Sequence, residues 1–282
     1  MNAAVLRKLH PREFLSTLRE HGIRSDGRTH DELRPVSIVM SPLGCGLGSA
    51  MARFGRTKML AVVTGTVVVP KVQQPTRGFV DVQVELPPMC SALRFRPGRV
   101  SSEAAYLASW IQGLVASAAL PVDVDALCIK PGSLVWSLLI SICCVEFDGN
   151  GEDCAFFASY AALRDTRLPE IQPPDSHEKL ATASPMRDKT VHAVDHQVAY
   201  PVTFACFDGG ETLIDPTCFE SDHSCSSLTI LIDGKGQSRG VYKPGGAALS
   251  ESTLKDCEAL AVAKRKQLEH SMEIASREGP VT

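Results

Sequence analysis

The apolar residues of this chain recur with two different periods, and the order in which these periods alternate limits the possible folds more than any other feature. Residues 79–87, FVDVQVELP, alternate with period two and predict a strand. Residues 102–118 have helical spacing, behind serines that suit a helix N-cap. Strand-like segments follow, then a small-residue helix over 152–166, more strands and a last helix from residue 250 or 251. This order predicts an α+β chain built from two similar layers.

Turn residues and composition predict where individual elements and larger units end. Residues 11–21 read as a short helix, and the pair 55–56 joins two strand-like segments into a hairpin. In the last helix, the basic residues 264–266 are expected to face solvent. The polar, proline-bearing segment 170–196 is predicted to be an exposed linker or long loop. The predicted units are an N-terminal helix and turn, a first half, this linker, a second half with the C-terminal helix, and a tail: 1–29, 30–169, 170–196, 197–275 and 276–282.

The net charge of the chain limits how it could bind nucleic acid. It has 29 basic and 32 acidic residues among 282, a formal net charge of -3, so any nucleic-acid contact must be a local patch. The longest uncharged apolar stretch, 133–145, is shorter than the roughly 20 residues of a membrane-spanning helix. The N-terminus lacks the apolar core of a signal peptide. We therefore expect no membrane association, and we expect ten cysteines without a Cys-x-x-Cys pair to be reduced, in a cytosolic or nuclear protein.

One loop, 214–233, concentrates ionisable side chains between two apolar runs: IDPTCFESDHSCSSLTILID. Cys218, His223 and Cys225 carry donor atoms that bind zinc, but a structural zinc site needs four ligands with characteristic spacing. Scattered cysteines also form such clusters by chance. We therefore expect no metal ion and no cofactor.

The carboxylates of the same loop are candidates for acid–base chemistry. Asp215, Glu220 and Asp222 could donate or accept a proton during catalysis. Carboxylates are also common in surface loops between strands, so a structural reading of all three stays open.

A second candidate site lies in LRFRPGR, residues 93–99, just before the predicted helix. Arg94, Arg96 and Arg99 crowd a Pro-Gly loop, and guanidinium groups beside a helix N-terminus bind phosphate oxygens. A solvated charged loop is the alternative interpretation. The residues alone predict a phosphate-binding patch at these three arginines and leave that alternative open.

Five segments, in order along the chain, resemble the RNase PH superfamily: IRSDGRTHDELRPV, GSAMARFGRTKMLAVVTG, FDGNGEDCAFFASYAALRDTRLPEI, YPVTFACFDGGETLIDPT and KPGGAALSESTLKDC. DGN, DPT and KPGG resemble the second class of exosome ring subunits rather than the catalytic class. The resemblance implies the RNase PH fold (ribosomal protein S5 domain 2-like), with two βαβα-type layers in one subunit. It also implies a hexameric ring around a pore, with cap proteins that carry RNA-binding domains on top.

The resemblance further implies that the phosphate site is incomplete. Active members degrade RNA from the 3′ end with phosphate as the attacking group, and they hold phosphate and RNA with arginines around one helix. Glu103 matches that pattern, but Val100 stands where an arginine precedes it. Tyr106 and Trp110 replace arginines further along the helix. Neither aromatic side chain supplies the cationic fork that neutralises an oxyanion.

The catalytic carboxylate is also missing by the same comparison. In active members, the loop that begins at the position of Asp215 ends with an aspartate that acts as general acid or binds metal. Ser227 stands at that position, and a hydroxyl has neither the charge nor the pKa for either role. The degenerate site positions are Asp215, Glu220, Asp222 and Ser227.

The sequence therefore predicts a non-catalytic structural subunit of the RNA exosome ring. It would support 3′–5′ RNA processing and degradation, including rRNA maturation and mRNA turnover, and help line the RNA pore. Arg94, Arg96 and Arg99 are the RNA-binding residues that this reading predicts. Expected partners are other RNase PH-like ring subunits (one of the other class in a heterodimer), cap proteins and single-stranded RNA, in the nucleus, the nucleolus and also the cytoplasm. One alternative is an active phosphate-dependent 3′–5′ exoribonuclease with a shifted acidic site. Another is an interaction role in which the linker 170–196 docks a cap protein or cofactor.

Overall fold

The computed structural model describes residues 3–91, 94–95, 101–171, 185–192 and 198–278. Helices and strands alternate there, which confirms the α+β class. The helices are α1 (Ala3–Leu9), α2 (Pro11–Glu20), α3 (Ser102–Ala116), α4 (Gly151–Asp165), α5 (Cys218–His223) and α6 (Glu251–Glu278). The strands are β1 (Val36–Met40), β2 (Gly48–Phe54), β3 (Thr57–Val68), β4 (Phe79–Glu85), β5 (Cys128–Lys130), β6 (Leu134–Glu146), β7 (Arg167–Ile171), β8 (Pro185–His192), β9 (Ala199–Cys206), β10 (Thr212–Ile214), β11 (Ser226–Asp233) and β12 (Ser238–Tyr242). None of these helices combines the length and the apolar composition that a membrane crossing requires.

The first half of the chain builds a six-stranded sheet. Its order is β1-β2-β3-β6-β4, and β5 also pairs with β6. Phe54 pairs with Thr57 across the turn at 55–56, which confirms the predicted hairpin. Strand β4 runs parallel to β6, so the chain must cross over between them, and α3 lies in that crossover. The hydroxyl of Ser101 caps α3 by accepting from the backbone N–H of Ala104 at 3.4 Å.

The second half builds a four-stranded antiparallel sheet in the order β10-β9-β11-β12. Strand β9 is buried along its whole length, so both of its faces are covered. The short helix α5 connects β10 to β11 and therefore lies at one end of this sheet.

Helix α4 packs against both sheets and joins them into one core. It contacts β2 and β3 on one side and β9 on the other, and residues 153–163 are all buried. The ring centroid of Phe157 lies 5.4 Å from that of Phe54 and 5.8 Å from that of Tyr200. A helix enclosed in this way needs apolar and small residues all round, which its sequence supplies.

Helix α6 packs on β1, β9 and β11. Its buried residues include Cys257, Ala261, Leu268 and Met272, which recur at helical spacing, while Leu254 is partly buried. The prediction that residues 264–266 face solvent is wrong at Arg265, which is 8% exposed and donates from Nη1 to the carbonyl oxygen of Gly234 at 2.7 Å. Consecutive helical residues are about 100° apart, so three in a row do not share one face.

The predicted linker 170–196 is only partly a loop. Strand β8 lies inside it and pairs antiparallel with β7, with Leu168 opposite Val191. Residues 172–184 and 193–197 lie outside the described ranges. Strand β8 has a polar sequence, so it lacks the alternation of apolar residues by which a strand is predicted.

Candidate functional site

Asp215 anchors the loop that follows β10. Its backbone has φ 47°, in the left-handed region, and its side chain is fully buried. Arg34 donates from Nη2 to Oδ1 at 2.7 Å, and its backbone N–H and Nε both donate to Oδ2 at 2.9 Å. Asn150 donates from Nδ2 to Oδ1 at 2.6 Å. Burial acts to raise the pKa of Asp215, but these donors outweigh it, and the pKa lies below the ordinary aspartate value.

Glu220 of α5 is engaged in a similar way. It is fully buried, and Arg24 donates to its two carboxylate oxygens from Nε at 2.9 Å and from Nη2 at 2.5 Å. Its Oε2 also accepts from the backbone N–H of Thr217 at 2.8 Å, while the hydroxyl of Thr217 caps α5. This reciprocal capping box makes Glu220 part of the helix start.

The arginines that bind these carboxylates were not identified from the sequence. Arg24, Arg28 and Arg34 are each less than one-tenth exposed. Arg28 donates from Nη1 to the backbone carbonyl of Asp215 at 3.2 Å and pairs with Asp26 at 2.7 Å. The available signal was the mixture of arginines and acids in residues 23–34. From the sequence alone, a mixture of arginines and acids is as typical of a solvent-exposed turn as of buried ion pairs.

Two of the three carboxylates in the alternative acidic site are therefore structural. A carboxylate with no exposed surface and with arginine partners cannot reach a substrate proton. Asp215 and Glu220 both fit that description. Asp222 is the exposed member of the set, and it also has a cationic partner.

That partner is Arg94, which connects α3 to α5. Its Nε lies 3.0 and 2.9 Å from the two oxygens of Glu103, and its Nη2 also donates to Glu103. Its Nη1 donates to Asp222 at 2.6 Å and lies 3.1 Å from the sulfur of Cys218. The hydrogen bonds that Arg94 donates to Glu103 raise the pKa of Arg94 further above its usual value. Two carboxylates therefore outweigh the single positive charge of Arg94.

The other predicted RNA-binding arginines, Arg96 and Arg99, lie outside the described residues, as does Val100. Of the helical positions where the resemblance implies arginine, Trp110 is buried in the core at 3% exposure. Tyr106 is half-buried, with its ring centroid 6.5 Å from that of Tyr242. Both positions therefore present aromatic packing surface.

A cavity of about 130 Å³ opens between α3, α5 and the N-terminus of α4. A helix N-terminus attracts an anion. Here the chain already places a carboxylate there, because Glu152 follows the first residue of α4 and lines the cavity. Burial raises the pKa of Glu152, and Ser227 contributes only a hydroxyl. The lining includes Arg94, Glu103, Asn150, Glu152, Cys218 and Ser227.

Below this cavity, Asp153 ties α4 to the second sheet. It is 1% exposed, and it accepts from the hydroxyl of Thr203 at 2.7 Å and from Nδ2 of Asn150 at 2.9 Å. The Thr203 hydroxyl lies 2.9 Å from that of Thr229. Burial raises the pKa of Asp153 to about 7, although these hydrogen bonds act to lower it.

The three potential metal donors of the loop have other partners. Nδ1 of His223 lies 2.8 Å from the carbonyl oxygen of Phe219, and the sulfur of Cys225 lies 3.2 Å from Oδ1 of Asp208. Cys218 contacts Arg94. In the part of the chain that the structure describes, no group of three or more His, Cys, Asp or Glu side chains is arranged to hold a metal ion.

Comparison with known proteins identifies relatives over nearly the whole chain. This chain is 28% identical over 261 residues to the exosome complex component rrp43 of Schizosaccharomyces pombe. The aligned residues cover 93% of this chain and 94% of the relative. The chain is 32% identical over 238 residues to the exosome complex component Rrp42 of Thermococcus gammatolerans, covering 84% of each. A solved Archaeoglobus fulgidus exosome, with RNA bound to its active site, contains a chain that superposes with a TM-score of 0.78 at 26% identity. That match covers 92% of this chain and 96% of the other.

The family models agree with the resemblance seen in the sequence. The model of the 3′ exoribonuclease family, domain 1, matches residues 32–169, and the model of domain 2 matches residues 198–264. These ranges correspond to the six-stranded sheet with α3 and α4 and to the four-stranded sheet with α5 and the first half of α6. The chain belongs to the 3′ exoribonuclease (RNase PH) family and contains both of its domains.

Proposed function

We propose that this chain is a ring subunit of the RNA exosome that supports 3′–5′ RNA processing and degradation without cleaving RNA itself. Support for the assembly comes from two relatives that are exosome components. The chain matches 94% of the length of one and 84% of the other. Support for the lack of catalysis comes from the cavity between α3 and α5. Among the described residues that line this cavity, the one arginine is Arg94, which Glu103 and Asp222 neutralise, and this neutralised arginine carries the proposal.

Phosphorolysis makes two demands that this cavity does not meet. Phosphate must be held by cationic groups, and a proton must reach the departing 3′ oxygen. Glu103 and Asp222 carry more negative charge than Arg94 balances, and the side chain of Glu152 already occupies the N-terminus of α4. Ser227 provides a neutral hydroxyl at the position where active relatives place an acid. An anion entering this cavity would therefore be repelled.

The competing function, a phosphate-dependent exoribonuclease with a shifted acidic site, depends on Asp222 because Asp215 and Glu220 are buried. We expect the assembly purified with the Asp222→Asn variant to release nucleoside diphosphates from RNA and phosphate at the same rate as the wild type. The Asp256→Asn variant, at an exposed position on α6, is the matched control. Release that stops in Asp222→Asn but continues in Asp256→Asn would establish the enzymatic alternative.

We further propose that Arg94, Arg96 and Arg99 form the RNA-contacting loop of this subunit. Because Arg94 is paired with carboxylates, Arg96 and Arg99 supply most of the positive charge. Such contacts are electrostatic, so they weaken with salt and do not depend on base sequence. Replacing the three arginines with alanine should shorten the RNA segment that the assembled ring protects from nuclease. Arg94→Ala alone should change that length little, and unchanged protection in the triple variant would exclude the role.

The proposed partners follow from the same assembly. They are a ring subunit of the other class, cap proteins with RNA-binding domains and single-stranded RNA, in the nucleus, the nucleolus and the cytoplasm. The segment between β7 and β8 is the proposed docking site for a cap protein or cofactor. Deleting residues 172–184 should remove one such protein from the purified complex while the ring keeps its native mass.

A further inference from the structure

A cavity of about 410 Å³ lies where helix α6 begins. Its walls come from residues 206–210, from 225–226, where β11 begins, and from 247–253, the segment that leads into α6. Ser226 lines this cavity, whereas Ser227 lines the cavity between α3 and α5. Consecutive strand residues point to opposite faces of a sheet, so the two cavities are separate. The volume is within the range of small-molecule sites.

The segment 247–253 carries a run of unpaired backbone donors. Its first N–H donates to the carbonyl oxygen of Cys225 at 3.2 Å, and its last donates to Oγ of Ser250 at 3.1 Å. Between them, the N–H groups of residues 248–252 have no acceptor among the described residues. They precede or begin the 28 residues of α6, whose peptide dipoles add partial positive charge at this end. The segment is therefore suited to an anion.

Ser226 gives an independent indication of a ligand. It is 7% exposed, and its buried Oγ has no hydrogen-bond partner among the described residues. Its cross-strand neighbour Cys206 offers a thiol, which is only a weak hydrogen-bond group. Gly246, with φ 84°, packs on Ser226, because a Cβ added there would lie 2.7 Å from Cβ of Ser226. A buried hydroxyl without a partner is unfavourable, and a ligand oxygen at the base of the cavity would satisfy it.

The remaining polar groups of the lining favour a ligand that also carries hydroxyls. Oγ of Ser250 lies 2.8 Å from Oγ of Ser252 and 2.8 Å from Oγ1 of Thr253, so three hydroxyls meet at the start of α6. Asp208 is the one carboxylate of the described lining, and its Oδ1 lies 3.2 Å from the sulfur of Cys225. A carboxylate accepts from a ligand hydroxyl but repels a phosphate placed beside it. A phosphate therefore belongs at α6, and ligand hydroxyls belong at Asp208.

We propose that this cavity binds a small phosphorylated sugar. The phosphate oxygens accept from the N–H groups of residues 248–252 and from the hydroxyl of Ser226, and a sugar hydroxyl donates to Asp208. Helix N-termini with free N–H groups are general phosphate sites. The inference goes beyond the proposed function and does not depend on it, since Ser226 and Asp208 lie outside the cavity between α3 and α5.

Isothermal titration calorimetry of the purified full chain with ribose 5-phosphate, at low salt, tests the site. We expect saturable binding, about fivefold weaker binding of inorganic phosphate, which lacks the hydroxyls, and no binding of ribose. Ser226→Ala should fold, because it removes an unsatisfied hydroxyl, and should weaken binding about fivefold. Ser227→Ala, at the other cavity, is the matched control and should bind like the wild type. The proposal is overturned by absent saturable binding, by equal binding of ribose or of inorganic phosphate, by an unchanged affinity in Ser226→Ala, or by a loss in Ser227→Ala.

A charge in the first turn of α6 gives a second test that does not depend on Ser226. Ser252→Asp places a carboxylate beside the phosphate position, so the affinity for ribose 5-phosphate should fall about tenfold. The thermal transition should not fall, because a carboxylate in the first turn of a helix is stabilising. Ser271→Asp makes the same change toward the other end of α6 and should leave the affinity unchanged. Equal affinities in these two variants overturn the site.

Discussion

Arg34 illustrates how single residues here combine charge with burial. Its guanidinium is 5% exposed, and it donates to Asp215, to the carbonyl oxygen of Asp148 at 2.8 Å and to that of Gly149 at 3.3 Å. One side chain therefore satisfies a buried carboxylate and two backbone acceptors. Buried ion pairs of this kind add little net stability over apolar packing, but removal of one partner is costly.

We therefore expect Arg34→Met to lower the free energy of unfolding by about 3–5 kcal/mol, because Asp215 is left charged and buried. Urea denaturation of the purified chain measures the change. Arg56→Met is the control, since Arg56 is 77% exposed and pairs with Glu146 at the surface. The control should cost at most about 1 kcal/mol. Similar losses in the two variants would contradict the structural role of Arg34.

Asp153 predicts a pH dependence. Its pKa is about 7 in the folded chain and close to 3.9 when unfolded, so between these values the folded state binds more protons. The free energy of unfolding should therefore fall as pH rises from about 4 to 7, by up to about 1.4 kcal/mol per pH unit from this group. Asp153→Asn should flatten that slope, whereas exposed Asp256→Asn should keep it. Denaturation curves at several pH values test this, and equal slopes would refute it.

At the scale of elements, the loop between β6 and α4 positions the cavity. Gly149 has φ 80°, and a Cβ added there would lie 2.4 Å from the backbone nitrogen of Cys218. The loop therefore packs directly on the start of α5. Thr57 fixes it from the first sheet, because its hydroxyl donates to the carbonyl oxygen of Gly149 at 2.7 Å. The two halves of the chain are therefore in close contact beside the cavity.

Gly149→Ala should accordingly destabilise the chain by on the order of 1–3 kcal/mol, through positive-φ strain and displacement of α5. Gly113→Ala is the matched control, because Gly113 lies in α3 with open space around its Cα. That substitution should be neutral or stabilising by about 0.5–1 kcal/mol. Thermal denaturation distinguishes the two, and a neutral Gly149→Ala would argue against close packing of the loop on α5.

At the scale of the whole molecule, the ionic contacts around the cavity join the two halves. Arg24 and Arg34 reach from the first segments of the chain to α5 and its preceding loop, and Arg94 reaches from before α3 to Asp222. These charged groups hold the two domains together. Under the proposed function, the charge of the entire cavity, rather than one missing side chain, prevents catalysis.

This view predicts that Ser227→Asp alone does not create phosphorolytic activity. The added carboxylate would lie in the same cavity as Glu103, so the site would become more negative, while Arg94, the arginine that the described residues place in its lining, stays paired with Glu103 and Asp222. Nucleoside diphosphate release by the assembled complex should match that of the wild type. A clear gain from the single substitution would show that Ser227 is the only missing component.

Element types and the family assignment followed from local sequence information. Period-two alternation in β4, the hairpin turn at 55–56 and the capped start of α3 each depend on neighbours within a few residues, and the structure confirms them. The resemblance alone implies that Ser227 replaces an acid, and this stays a prediction. Strand β8 was missed because its pattern is polar, and Arg265 was misplaced because three consecutive charges were treated as one face.

Only the tertiary structure decided which charged side chain pairs with which partner. Arg24 meets Glu220 across 196 residues, and Arg94 meets Asp222 across 128. Whether a carboxylate is a solvated acid or a buried anchor depends on which side chains the fold brings beside it, and that distance is not encoded in any local pattern. The sequence determined that the chain is a two-domain RNase PH-type protein. Packing determined that its acids bind its own arginines, because burial makes an unpaired charge too costly to keep.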